Sequence, residues 1–338
     1  MDSLISIIVP VYNGEKTIER TLKAIASQTH KNIEIIVIND ASTDKTNLIL
    51  KKHASSDKRI QIIDLKENQG VHEARMAGLR KSTGQWIGFV DGDDYIHPAM
   101  YKTMLSDALL NNVDIVLCSV RRENEQGKLL AYVPKFKKNY LIENKLLEQL
   151  TQFKFSGNYL WNRLFSRDII IEAVNRKYPW RQDLNEDLLI NIDCFIKAKR
   201  IYLNKNVFYY YVDNKASATA TVNKERSYVE HFKAFVLAMH FYGHISEQVQ
   251  DSLLDIYRTQ ISQKGMHIDN TQLLEKFENE LTKAVEMLNK EHPLALVKLA
   301  ARNSKNCPQF LPYRQRIINL FIRIANKLFF KNKDSKYF

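Results

Sequence analysis

Four short phrases in this chain carry side chains able to do chemistry. The densest is Asp91-Gly92-Asp93-Asp94. In extended backbone, residues two apart point the same way, so Asp91 and Asp93 can converge on one cation. Hard divalent ions such as Mn²⁺ or Mg²⁺ take carboxylate oxygens and bridge to substrate phosphates. Gly92 lets the backbone approach closely. The same letters also make an ordinary turn after a strand.

The other three phrases each have a chemical and a plain reading. Val9-Pro10-Val11-Tyr12-Asn13 offers Tyr12 as a ring to stack on a nucleobase, with Asp40 placed to accept from a base N–H. Turn chemistry at Asn13-Gly14 and a helix cap at Asp40 or Ser42 account for the same residues. In Asn68-Gln69-Gly70 followed by Arg75, a planar guanidinium near a helix start can grip a diphosphate, or be one more surface arginine. Glu186-Asp187 opens the helical run Leu188, Leu189, Ile190, Ile192. An acidic pair there caps a helix or supplies a general base.

The elements around these phrases explain why they should meet. Strand patterns at Leu4–Val11, Ile33–Ile38, Ile60–Leu65, Trp86–Val90 and Val113–Val120 alternate with helical ones. The helices fall at Glu15–Gln28, Asp44–His53, Val71–Lys81 and from Pro98, in the first-turn position proline tolerates, to about Asn111. Repeated strand–helix–strand units predict an α/β fold with a mostly parallel sheet covered on both faces. Ligands of such sheets bind beyond the carboxyl ends of the strands, and Tyr12-Asn13, Asn39-Asp40 and Asp91 to Asp94 all stand there. Residues 121–215 read as strands and short helices completing the crevice. From about Glu225 the pattern is helical, giving a catalytic domain over 1–215 and a mostly helical region over 216–338.

Taken together and in order, these phrases resemble family 2 glycosyltransferases of the GT-A fold, particularly bacterial enzymes that build surface polysaccharide or lipooligosaccharide. The matching stretches are Ile7–Asp44, Asn68–Pro98, Leu160–Phe165 and Asn185–Asn191, within a similarity running from Ile5 to about Tyr211. The resemblance implies an inverting transfer of a hexosyl or N-acetylhexosaminyl group from a nucleotide-diphosphate donor, usually a UDP-sugar, to a glycan or lipid-linked glycan. It places Pro10, Tyr12 and Asp40 at the nucleoside and Arg75 near the donor. It makes Asp91 and Asp93 the Asp-X-Asp pair, with Asp93 the direct ligand of Mn²⁺ or Mg²⁺. Asp187 becomes the catalytic base, and Trp161, Asn162 and Glu186 line the acceptor side. One departure stands out. Relatives often carry Arg or His near Val212 to Thr221, reaching the diphosphate, whereas here Lys215 is the only cation, a point charge and not a fork.

Bulk properties narrow the alternatives. The 338 residues carry a net charge of +12. Half of that excess lies in residues 314–336, with seven cations against Asp334. There Ile317, Phe321, Ile324 and Leu328 recur at helical spacing opposite Arg316, Arg323 and Lys327. This basic amphipathic helix suits either peripheral contact with anionic lipid or packing on the domain. The rival to an enzyme is a basic nucleic-acid- or membrane-binding protein on a degenerate GT-A fold. The first 215 residues lack the cation stripe interleaved with aromatics that nucleic acid requires, and no Gly-X-Gly-X-X-Gly follows the first strand. Three scattered cysteines, with Cys118 and Cys194 in apolar runs, fit buried thiols in a reducing cytoplasm. Neither a secretory leader nor an apolar run of about 18 residues is seen, so the expected place is the cytoplasm or the cytoplasmic face of the membrane.

Overall fold

Strands β1 (Ile5–Val11), β2 (Ile33–Asn39), β3 (Ile60–Asp64) and β4 (Trp86–Phe89) form a parallel block in the order β3-β2-β1-β4. They alternate with helices α1 (Ile18–Ala26), α2 (Thr46–Ser56) and α3 (Val71–Lys81). The computed structural model describes residues 3–151, 158–214, 223–263, 270–295 and 298. Every residue of β1 and β2 is buried. That is why both read as continuous Ile/Val runs, as strands covered on both faces must. The register pairs Val11 with Asn39, Asn39 with Asp64, and Ile8 with Phe89. It therefore brings the carboxyl ends of all four strands to one edge.

The second half of the sheet is built from β5 (Tyr95–Ile96), α4 (Met100–Asn111), β6 (Ile115–Glu123), β7 (Leu129–Tyr132), β8 (Tyr140–Ile142), α5 (Leu146–Thr151), β9 (Arg163–Ser166), α6 (Arg167–Ile170), α7 (Glu186–Lys197) and β10 (Ile201–Val212). Strand β9 lies antiparallel between β4 and β6, and β10 runs parallel to β6. Six strands, β1 to β4 with β6 and β10, share one direction, so the mixed sheet is mostly parallel. The two-residue β5 had no sequence signal of its own. It exists because β10 pairs Tyr209 with Ile96 and Tyr210 with Tyr95.

Helix α4 starts at Met100 and not at Pro98. Pro98 instead sits in a turn closed by Met100 N–H donating to the His97 carbonyl and Ala99 N–H donating to His97 Nδ1. Cys118 and Cys194 are free, buried thiols, as their apolar settings imply.

The chain divides into two compact units, Met1–Thr221 and Val222–Phe338. The second contains helices Lys224–Tyr242, Glu247–Gln263 and Asn270–Glu291. Within it Lys233 Nζ, almost fully buried, lies 2.8 Å from Glu230 Oε1 and 3.0 Å from Glu280 Oε2. Arg226 bonds both acids as well, so the buried charges are compensated rather than stranded. Lys215, Cys307 and the amphipathic segment 314–336 lie outside the described residues. Among the described residues, no helix is long and apolar enough to cross a membrane.

Candidate active site

The loop after β4 is held in place from both sides. On one side, α1 grips its backbone. Thr17 Oγ1 donates to the Gly92 carbonyl at 2.9 Å, Thr21 Oγ1 to the Asp94 carbonyl at 2.7 Å, and Arg20 Nη2 to the Asp93 carbonyl at 2.5 Å. A Cβ at Gly92 would lie 3.0 Å from Val11 and 3.1 Å from the Pro10 carbonyl, so the loop is pressed onto the end of β1. On the other side, the buried Asp94 carboxylate accepts from the Tyr209 hydroxyl at 2.8 Å and from Val212 N–H at 2.8 Å. The same Tyr209 oxygen accepts from Asp91 N–H. Asp94 and Tyr209 thus fix the loop to β10, and the Asp91 and Asp93 carboxylates take no part in that anchor. Neither anchor was singled out from sequence. Asp94 sits among three acids, and only the antiparallel β5–β10 pairing sets it apart.

Arg75, on α3, is buried against two acids. Its Nη2 lies 2.9 Å from Asp91 Oδ1 and its Nη1 lies 2.5 Å from Glu186 Oε1. It joins the loop after β4 to the start of α7, and its own partner on α7 is 111 residues away in sequence. The guanidinium placed near the donor by resemblance is therefore occupied by carboxylates. Glu186, expected on the acceptor side, bonds Arg75 in this structure. Asp187, the next residue, is less buried. Its Oδ1 accepts from Leu188 N–H at 2.8 Å.

The electrostatics follow from this crowding. Burial raises the proton affinity of Glu186, with the Asp187 charge adding to it and Arg75 opposing. Burial also raises that of Asp187, while Arg75 and Arg163 pull it down. Asp93 is raised by burial and by the charge of Asp91. Two neighbouring carboxyls that repel one another in this way suit a cation between them. Among the described residues there is no group of three or more metal-binding side chains. A cation held at this loop would have only the Asp91 and Asp93 carboxylates to bind it here, and a diphosphate would have to complete the shell.

The nucleoside-side residues divide. Tyr12 is half exposed beyond β1, open to stacking, and Pro10 is buried in the strand behind it. Asp40 is buried, and its oxygens accept from Gln69 N–H at 2.8 Å and Gly70 N–H at 2.9 Å. Its carboxylate shapes the loop before α3, and each oxygen keeps a further lone pair able to accept. Gly70 there has φ +87, a conformation glycine tolerates best. The same loop is latched to the segment before α7, because Arg181 Nη2 donates to Asn68 Oδ1 at 3.0 Å.

On the far side, Trp161 is buried in a stack of rings, 4.4 Å from Tyr159 and 4.5 Å from Tyr209. It supports the loop anchor rather than facing solvent. Asn162 is fully buried and donates to the Cys118 carbonyl at 3.0 Å, while its own oxygen accepts from Arg163. Asn162, expected on the acceptor side, ties the start of β9 to β6. Asn214 Nδ2, 3.3 Å from Asp93 Oδ2, approaches the loop from beyond β10. It stands in the region whose missing Arg or His left the diphosphate clamp open.

The family model described as glycosyl transferase family 2 matches residues 6–173. The chain is 33% identical over 251 residues to the uncharacterized glycosyltransferase EpsJ of Bacillus subtilis, covering 72% of this chain and 71% of EpsJ. The chain belongs to glycosyl transferase family 2. It is a glycosyltransferase with the GT-A fold. It also matches glycosyltransferase GlyA of Streptococcus pneumoniae, 32% identical over 221 residues, which is 62% of this chain but only 31% of GlyA. Among solved structures, Staphylococcus aureus TarS 1–349 in complex with UDP-GlcNAc superposes with a TM-score of 0.67 at 18% identity, over 96% of this chain and 91% of that one. Of the longer TarS chain this protein spans 55%.

Proposed function

We propose that this glycosyltransferase is an inverting, metal-assisted enzyme that transfers a hexosyl or N-acetylhexosaminyl group from a UDP-sugar to a hydroxyl of a glycan or lipid-linked glycan in surface polysaccharide synthesis. The observation that carries this reading is the Arg75 bridge. It holds Asp91, on the loop that would face the diphosphate, and Glu186, which precedes Asp187, at one crevice. The UDP-GlcNAc complex of TarS makes a UDP-sugar the first donor to test.

Asp187 is the base. Burial lifts its proton affinity above the ordinary carboxylate range, towards the value a base working near neutrality needs. It takes the proton of the acceptor hydroxyl as that oxygen attacks the anomeric carbon. The bond from that carbon to the diphosphate oxygen breaks on the opposite face, and its electron pair leaves with the nucleoside diphosphate. One displacement inverts the carbon, so a covalent glycosyl-enzyme is not needed. Asp91 and Asp93 would hold Mn²⁺ or Mg²⁺, which would neutralise charge growing on the leaving diphosphate. Tyr12 stacks on the base of the donor, and Arg75 keeps the Asp91 loop and α7 in register.

Turnover of a panel of nucleotide-sugars, scored as release of nucleoside diphosphate with and without Mn²⁺, tests the reading. One UDP-sugar should be consumed in a metal-dependent way. Consumption of none, together with no binding of UDP, would contradict it.

A further inference from the structure

The two acids of the loop after β4 are each held by one donor, and the donors differ in charge. Asp91 Oδ1 lies 2.9 Å from Arg75 Nη2, and Asp93 Oδ2 accepts from Asn214 Nδ2 at 3.3 Å. The remaining oxygens, Asp91 Oδ2 and Asp93 Oδ1, accept from no other side chain among the described residues. Asp91 thus shares its charge with a cation that Glu186 also uses. Asp93 is held by a neutral amide, which turns the carboxylate without compensating it. Arg20 reaches the Asp93 carbonyl and not the carboxylate.

The backbone carrying Asn214 is fixed up to the residue before it. Val212 N–H donates to Asp94 Oδ1 at 2.8 Å, and Asp213 N–H donates to the Glu123 carbonyl at 2.8 Å. The Arg122 fork grips the Asp213 carboxylate, with Nε 2.6 Å from Oδ1 and Nη2 2.9 Å from Oδ2. Arg122 and Glu123 belong to β6, and Asp94 belongs to the acidic loop itself. Asn214 therefore leaves the end of β10 at a set point. From there its short side chain reaches back onto Asp93, while α1 holds the same residue by its backbone.

We propose that Asn214 is the positioning residue of Asp93, its amide holding Oδ2 so that Oδ1 is presented to a divalent cation. The assignment rests on the proposed function, in which Asp91 and Asp93 hold Mn²⁺ or Mg²⁺. Carboxylates that bind a metal are themselves hydrogen-bonded, and those outer partners set the orientation of the ligand. A divalent cation gains most from a carboxylate whose charge is not already spent on another cation. A neutral amide meets both needs, because it orients Asp93 and leaves its charge whole. The competing role for Asn214 is a direct contact with the nucleotide, for which the amide's second N–H would serve.

The experiment uses the full chain and two binding measurements, neither of which needs turnover. Mn²⁺ is titrated in the presence of UDP and followed by electron paramagnetic resonance, and UDP is titrated in chelator by calorimetry. Asn214→Ala should weaken Mn²⁺ binding by about 10- to 100-fold. It should leave UDP affinity in chelator and the metal-free melting temperature as they are in the wild type. Asn214→Lys, which sets a cation beside the same carboxylate, should weaken Mn²⁺ more than the alanine variant does. Unchanged Mn²⁺ affinity in Asn214→Ala would overturn the proposal. So would a matching fall in UDP affinity in chelator, which would put the amide on the nucleotide, or a matching fall in metal-free melting temperature, which would make the residue structural. A wild-type chain that binds no Mn²⁺ with UDP would instead remove the metal pair itself, and with it the role of Asn214.

Discussion

Arg75 and Glu186 meet at 2.5 Å in the interior, and the other arm of the same guanidinium lies 2.9 Å from Asp91. One side chain therefore sets the spacing between the loop after β4 and the first turn of α7. Lysine keeps the charge but cannot span two carboxylates. Arg75→Lys should lower kcat by roughly a hundredfold, the scale of a small misplacement of reacting groups, with a smaller change in KM. Arg75→Ala leaves the buried Glu186 and the partly exposed Asp91 without their cation and should cost about 3–5 kcal/mol of stability, read by urea denaturation. Equal losses of activity and stability in both variants would mean that the bridge serves folding only.

Asp187→Asn keeps shape but cannot accept a proton. We expect kcat to fall on the order of 10²–10⁴-fold while donor affinity, measured by calorimetry, is nearly unchanged. Collapse of donor binding would make Asp187 structural and leave the base to be found elsewhere.

The pH dependence has a definite sign. Asp187 acts deprotonated, and burial raises its proton affinity. Activity should therefore fall, as pH is lowered, already above the ordinary carboxylate range. Arg75 opposes that rise, so Arg75→Gln should move the acid limb of kcat/KM to higher pH. A limb that moves to lower pH, or stays fixed, would show that the charge of Arg75 does not reach the base.

Glu34 offers a test at the opposite end of the sheet. This buried acid accepts from Ser6 Oγ at 2.6 Å, Thr83 N–H at 2.6 Å and Gly84 N–H at 3.1 Å. Burial alone would raise its proton affinity, but these hydrogen bonds outweigh burial and hold it below the usual value. A depressed folded-state value contributes stability that is present above the unfolded-state value and is lost as pH falls through the folded one. Glu34→Gln should cost about 1–3 kcal/mol near neutral pH, and the cost should shrink in acid. A cost that does not change with pH would contradict this assignment.

Asp93→Ala should abolish the stimulation of turnover by Mn²⁺ and weaken Mn²⁺ binding in the presence of UDP, followed by electron paramagnetic resonance. Full metal-stimulated activity in this variant would remove Asp93 from the metal site.

The parallel block was legible because its strands are buried on both faces. Ile5–Val11 and Ile33–Asn39 could hardly be anything else. The gathering of Tyr12, Asp40 and Asp91 at one edge followed from strand direction alone. Partner choice was not legible. Sequence does not show that Asp40 also accepts from Gln69 and Gly70, or that Asn162 donates to the Cys118 carbonyl. For Arg75, expected near the donor, sequence does not show that Glu186 folds back against it. The antiparallel β9 and the short β5 escaped notice because both depend on pairing with strands distant in sequence, not on any local pattern.

The central claim is tested most directly by one assay on two proteins. Wild type and Asp187→Asn are incubated with UDP-sugars and Mn²⁺, and UDP release is followed alongside donor binding. The account predicts metal-dependent release from one UDP-sugar by the wild type, and its near-complete loss in Asp187→Asn with that donor still bound. Release at the wild-type rate by Asp187→Asn, or the same rate from the wild type in chelator, would contradict it.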